Sequence, residues 1–535
     1  MTALELIVFI GAAVLAGEVA ARRLRLPPPL VMLAMGSGLS FVPMLRAAER
    51  APNVVLLIFI PALVYWEARN NVSLREVRVH LRIIAPTGVG LTLATAVSVA
   101  AVARALGLTW SLGLVLGAIV SLTDAMTVVR LLAAVPRRVS AILRTESVIN
   151  DGVALVLYTI AVQAVAGGRQ VSPALFCAEF AESAAVAVAI GLAVGGLVLW
   201  LWRYMKEERL ASALSLLVPF LAFLPAELAH ASGVVAVVTC GIVIAQGEPR
   251  VITAAARREA FGFWRVVSFV LNDVLFVLTG LHLHRLITRL HADSWPVLVL
   301  SLSAIVIAIV IGLRLLWFYT VPYLLRAIDR RPAPRARGIP SARHRFPLAW
   351  AGMRGSISLA LAIALPLTTN AGRPLPRREE LIAITFAVIV VTIVVQGLSM
   401  PAVLRWSGLE PDPAQAYEEA LASRAAFQRA LALLHGIAAA LGVPDTVRDG
   451  LAAEYRAEAD KLTSTMDDTT RSIRSTGIAE VDWERRLRRA AIPAKRDAVL
   501  TLRHAERIDD AAFERIQARL DTEEIQLANV IDQDT

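Results

Sequence analysis

Residues 145–158 read TESVINDGVALVLY, and Glu146, Ser147, Asn150 and Asp151 set polar groups close together inside a long apolar run. Positions i and i+4 share a helix face, so Glu146 stands with Asn150, and Ser147 with Asp151, in two neighbouring rows. A carboxylate among other oxygens can hold a proton or a hard cation, and each excludes the other. A charge at the middle of a bilayer costs at least about 2.5 kcal/mol on insertion scales, so such a group faces water or a partner. A lone carboxylate snorkelling from a helix end is the competing reading. Four adjacent polar groups followed by GVALVLYTIAVQAVA weigh against it.

Two other segments place polar groups where oil-soluble ones belong. GAIVSLTDAMTVVRLLAAV has Ser121, Thr123 and Asp124 mid-segment. Thr and Asp compete for backbone hydrogen bonds, which suits a broken helix whose freed carbonyls line a cavity; an Asp at a helix end is the alternative. PLAWAGMRGSISLALAIALP has Gly352 and Gly355 around Met353 and Arg354. Glycines permit unwinding or close approach, and an arginine so deep needs an anion. Glu146 is the partner by charge type; packing through small residues with a snorkelling Arg354 is the alternative. Glu67, after LLIFIPALVYW, is either a cavity residue or a span end, and Asp273 and Arg314 complete the set of candidates.

The elements that carry these residues must lie in a membrane. Of 535 residues, 57% are hydrophobic and 18% charged, and mean hydropathy is +0.62. A soluble chain has about half apolar and a quarter charged residues. Apolar runs such as VLVLSLSAIVIAIVIGLRLLWFYTV recur, and a spanning helix needs about 20 residues. Thirteen spans are expected, at 3–21, 27–45, 53–68, 83–103, 108–130, 139–165, 174–202, 210–229, 233–247, 262–283, 295–325, 346–367 and 380–404. The first is read as a retained helix, because ARRLRLPPP lacks a cleavage pattern. Cys177 and Cys240 lie in separate apolar segments and suggest neither a disulfide framework nor a metal centre.

Charge is distributed unevenly. Ahead of Leu409 stand 37 basic and 20 acidic residues; from Leu409 onward, 17 and 24. The basic residues collect in alternate loops, among them Arg22, Arg23 and Arg25, then Arg69, Arg75, Arg78 and Arg82, and later Arg326 through Arg345. Basic loops face the cytoplasm, so the N-terminus is expected outside the cell membrane and the C-terminal tail inside. This pattern speaks for membrane lipid as a partner rather than nucleic acid. The expected domains are a transmembrane domain, 1–408, and a helical cytoplasmic regulatory tail, 409–535. In the tail, PAQAYEEALASRAAFQRALALLHGIAAAL has helical spacing and stops at GVP, and DDAAFERIQARLDTEEIQL is a second amphipathic pattern. It holds no phosphate loop, dinucleotide fingerprint or metal-ligand cluster, and no cofactor is expected.

The ordered set of segments resembles monovalent cation–proton antiporters of the NhaP and eukaryotic sodium/proton exchanger type. Glu146-Ser147-x-x-Asn150-Asp151-Gly152 is similar to that family's E-S-x-x-N-D signature, and LTDAMTVVRLL to its T-D-P segment. IPALVYWEA, AELAHASGVVAVVTCGIVI, FVLTGL, WAGMRGSISLALAIALP and VVTIVVQGLSMPAVL follow in family order over about residues 3–404. Ala125 stands where the family has proline, and a single Asp follows Asn150 where electrogenic relatives have two.

The resemblance implies an all-α polytopic fold of about thirteen transmembrane helices, in two inverted six-helix repeats with broken crossing helices. It implies a non-enzymatic antiporter and a homodimer. Asp151 would carry sodium (or potassium or lithium) and protons in turn, with Thr123, Ser147, Glu67 and Asn150 at the ion site. Glu146 and Arg354 would form a structural ion pair, and Asp124, Gly352 and Gly355 would support the helix crossing. One carboxylate implies one proton per cation without net charge. A cation channel with an acidic lining, or an intramembrane aspartyl protease, would bury similar groups; no filter repeat or GxGD motif is present.

Overall fold

The computed structural model describes residues 3–24, 26–42, 52–71, 85–124, 137–168, 173–205, 207–281, 296–328, 342–408, 414–472 and 495. Among these the regular elements are all helices; the sole β feature is an isolated bridge between Thr368 and Pro374. Eight of the helices are long and apolar enough to cross a membrane, which makes this a polytopic helical membrane protein.

Helices α1 (Ala3–Leu24), α2 (Pro28–Leu39) and α3 (Pro52–Asn71) come first, α2 and α3 each opening on a proline. Proline suits a first turn, where its missing N–H is not needed. A π-helical stretch, Pro86–Leu91, runs straight into α4 (Thr92–Ala105). Gly107, at φ 95°, turns the chain into α5 (Trp110–Ser121), whose cap Thr109 accepts from Leu112 N–H at 3.3 Å. Helix α6 (Arg137–Ala166) carries the TESVIND segment, and α7 (Pro173–Trp202), α8 (Glu208–Leu228), α9 (Gly233–Val251) and α10 (Ala254–Leu281) follow. After α11 (Pro296–Ile328), helix α12 (Ala342–Trp350) stops, five residues run without helix, and α13 (Ser356–Ile363) resumes. Helix α14 (Arg378–Thr392) leads through a second π-helical stretch, Ile393–Gly397, into α15 (Leu398–Ser407). Each of the thirteen expected segments thus overlaps a helix. Residues 125–136, with Ala125, and the second tail pattern at 509–527 lie outside the described residues.

The described residues divide into two compact units, one within 1–409 and one holding α16 (Ala414–Leu441) and α17 (Asp445–Ser472). In the second unit, Val443 N–H bonds Ala438 C=O at 3.0 Å and Gly442, at φ 65°, bonds Ala439 C=O. These two bonds close the end of α16 at the GVP stop. Phe427 and Tyr455 pack at 5.5 Å between the two helices.

The first unit sorts into two packing groups. Helices α1–α3 and α7–α10 pack among themselves; α4, α5 and α11–α15 do likewise, and α6 joins the latter through its polar face. The groups touch where α3 and α10 meet α13, where α2 meets the π-helical stretch Ile393–Gly397, and where Val148 of α6 clusters with Ala68 of α3. Within the first group, Arg69 on α3 makes a two-pronged bond to Glu248 on α9, at 2.8 and 2.5 Å, and lies over the ring of Trp66, which stacks with Trp264. Arg69 is therefore not the free loop charge that the orientation count takes it for. Nor is Arg345, which is buried on α12 against Tyr319 and Tyr323 of α11.

Candidate ion-binding site

The end of α5 and the gap between α12 and α13 build the site. Helix α5 stops at Ser121, and Leu122 turns to an extended backbone (φ −60°, ψ 136°). A helix end leaves carbonyls without partners. Here Arg354 Nε donates to Val120 C=O at 2.8 Å, Asn150 Nδ2 to Ser121 C=O at 3.1 Å, and Ser147 Oγ to Thr123 C=O at 2.8 Å. A cation at a helix C-terminus is also favoured by the helix dipole. Arg354 donates a further bond to Gly352 C=O. The second break faces the first: Asp124 N–H bonds Met353 C=O at 2.9 Å. Asp124's carboxylate lies against Gly355, the residue capping the N-terminus of α13, where negative charge is stabilised.

Both glycines are sterically required. A Cβ on Gly355 would overlap the Asp124 carboxylate, and one on Gly352 would fall 2.6 Å from Arg314 Cδ. Gly355→Ala is expected to lower the stability of the solubilised protein by about 1–3 kcal/mol through overpacking, read from its thermal unfolding. An unchanged melting temperature would mean that the crossing is looser than its geometry.

The ion pair at the crossing differs from the expected one. Glu146 Oε1 accepts from Arg314 Nη1 at 2.5 Å, both side chains being 2% exposed. Arg314, on α11, also donates to Leu348 C=O at 3.2 Å. Arg354 is not hydrogen-bonded to Glu146; its Nε and Nη1 donate instead to the carbonyls of Val120 and Gly352. Its backbone N–H goes to Thr392 Oγ1 at 3.3 Å.

A cavity of about 30 Å³ lies between the two helix groups, enough for a water or two. Glu67, Thr123, Asp124, Ser147, Asp151 and Gly355 line it, joined by Trp66, Ser268, Asn272 and Ser358. Five expected site or crossing residues thus share it with Asp151. Asp151 itself is 3% exposed and has no hydrogen-bonded or ion-paired partner among the described residues. Asn150 is not among the lining groups. Neighbouring residues lie about 100° apart around a helix, and Asn150 turns instead to a smaller cavity lined by Thr87, Thr92, Thr95, Glu146, Arg314 and Arg354. There it donates to Thr123 Oγ1 at 2.9 Å and accepts from Thr92 Oγ1 at 2.9 Å. It braces the end of α5 and so shapes the site without adding charge.

A buried carboxylate without a partner thus stands where the end of α5 meets the gap between α12 and α13. The family model described as "Sodium/hydrogen exchanger, transmembrane" matches residues 7–406. The chain belongs to the sodium/hydrogen exchanger family. As an exchanger it is a multi-pass membrane protein and an antiporter of sodium and protons, not an enzyme. It is similar to an uncharacterised sodium/proton exchanger of Mycobacterium tuberculosis (strain ATCC 25618 / H37Rv), at 39% identity over 99% of this chain and 97% of that one. The sodium/proton antiporter ApNhaP of Aphanothece halophytica is 28% identical, over 77% of this chain and 76% of its own. The structure of the sodium proton antiporter MjNhaP1 from Methanocaldococcus jannaschii superposes with a TM-score of 0.59, over 76% of this chain and 100% of that one, at 17% identity. That likeness concerns the fold.

Sequence reasoning missed Ser268, Asn272 and Ser358 in the exchanger's cavity, and Thr92 beside Asn150. Ser268 and Asn272 carried a signal, a polar i, i+4 pair in the otherwise apolar stretch 266–272.

Proposed function

We propose that the exchanger moves one sodium ion against one proton by presenting Asp151 to the two sides of the membrane in turn. The observation that supports this is the isolated Asp151 carboxylate, facing a cavity between two separately packed helix groups. A bare carboxylate so deep is costly, and either a proton or a cation held by further oxygens neutralises it. Thr123, Ser147 and Glu67 supply those oxygens directly or through water. Sodium, potassium and lithium all bind oxygen, so the cavity's dimensions set the choice.

Electroneutrality follows from the charges that the α4–α6 and α11–α15 group brings to the two cavities. These are Asp124, Glu146 and Asp151 against Arg314 and Arg354. One monovalent charge on Asp151 brings the set to zero, so the loaded group crosses without net charge. The thirteen spans form two inverted six-helix repeats, with the breaks at 122–124 and 351–355 in equivalent places. The termini lie as the loop charges predict, the tail is a regulatory domain, and the exchanger works as a homodimer.

The test is cation-dependent relaxation of a pH gradient in proteoliposomes, scanning lithium, sodium and potassium. Relaxation driven by sodium and indifferent to an imposed membrane potential is expected. Turnover that follows the potential would overturn the one-for-one stoichiometry.

A further inference from the structure

We infer that Ser358 is a cation contact of the exchanger and sets its cation affinity without taking part in proton binding; this rests on the reading of Asp151 as the carrier. Ser358 is 1% exposed, lines the cavity with Asp151, and its Oγ has no hydrogen-bond partner among the described residues. A buried hydroxyl left so costs about 1–3 kcal/mol, and native structures seldom leave one without a reason.

The reason is the helix break. Hydroxyls elsewhere in these helices bond the carbonyl one turn back: Ser37 to Leu33, Thr159 to Leu155, Thr279 to Leu275, Thr385 to Leu381, all at 2.6–2.9 Å. For Ser358 the residue one turn back is Arg354, which lies in the non-helical stretch before α13. Ser358 Oγ bonds neither that carbonyl nor any other described group, so the hydroxyl remains available to the cavity. Thr145 and Ser303 also have unpartnered hydroxyls, but neither lines the cavity. A serine oxygen is a hard ligand for a dehydrated monovalent cation. Ser358 also belongs to the helix group that carries Asp151, so it accompanies the ion, whereas Ser268 and Asn272 sit on the opposing α10.

The experiment measures sodium and lithium KM in proteoliposomes at several pH values, together with sodium binding to the solubilised protein by calorimetry. Ser358→Ala is expected to raise both KM values and the sodium Kd roughly tenfold, the worth of one charge-assisted contact. Maximal rate and the proton dependence at saturating sodium should hold, and Ser358→Thr should restore affinity. A loss of rate with unchanged KM, or a shift in proton dependence equal to that in sodium, would reduce Ser358 to a packing role. Asp151→Asn in parallel separates the two claims. If it abolishes exchange while Ser358→Ala leaves both KM values and the Kd unchanged, only the serine assignment falls. If Asp151→Asn still exchanges, the carrier itself is misassigned.

Discussion

Proteoliposomes carrying Asp151→Asn are expected to show no sodium-driven pH relaxation. The amide fills the same volume and keeps one oxygen, so the fold is retained, but it can neither take up a proton nor cancel a cation's charge. Both half-reactions stop together, which distinguishes this variant from one that weakens only cation binding. A second readout needs no transport. A ligand held by the folded state stabilises it by about 2.7 kcal/mol at a hundred times its Kd. Sodium should therefore raise the melting temperature of the wild-type exchanger and leave that of Asp151→Asn unmoved. Exchange at the wild-type rate, or an undiminished sodium response in the melt, would remove Asp151 from the site.

Arg314→Met strands a carboxylate. Glu146 is then buried without its donor, a change that costs about 3–5 kcal/mol. The variant should express poorly or melt far below the wild type. The double variant Glu146→Gln, Arg314→Met removes the charge with its partner and should regain most of the loss, since replacing a whole buried pair is often neutral. Arg354→Met offers the decisive comparison. It frees the carbonyls of Val120 and Gly352 but leaves the pair intact, so the Glu146→Gln change should not rescue it. Rescue of Arg354→Met by Glu146→Gln, with none for Arg314→Met, would restore the pairing that the sequence suggested.

The two breaks and the polar rows of α6 were legible in the sequence because a charge or hydroxyl in oil is expensive and needs a reason. Asp151, Thr123, Ser147 and Glu67 were found that way, and the structure gathers them around one cavity. The partner of Glu146 was not legible. Arg314 and Arg354 are both deep arginines, and choosing between them depends on how α11 and α12 pack, which spacing along one helix does not carry. Ser358 and Thr92 escaped for a different reason. A lone hydroxyl in a helix ordinarily bonds its own backbone, so its type alone says nothing; only the break before Ser358 changes its meaning. Arg69 and Arg345 were counted as loop charges because they stand near span ends. Their acceptors and aromatic faces, Glu248, Tyr319 and Tyr323, come from other helices.

The π-helical stretch Pro86–Leu91 bears on what a single deleted residue would do. Thr87 and Thr92 line the same small cavity, yet on a regular helix residues five apart diverge by about 140°. The wider winding, with its i→i+5 bonds, brings them round to one side. Thr92 can then meet Asn150 while Thr87 stays in view of the same space. Shortening this stretch by one residue would leave span length almost untouched and swing the brace on Asn150 away from its target. The spare residue is thus a directional setting for the transport machinery, and sequence comparisons that treat it as a gap would misjudge it.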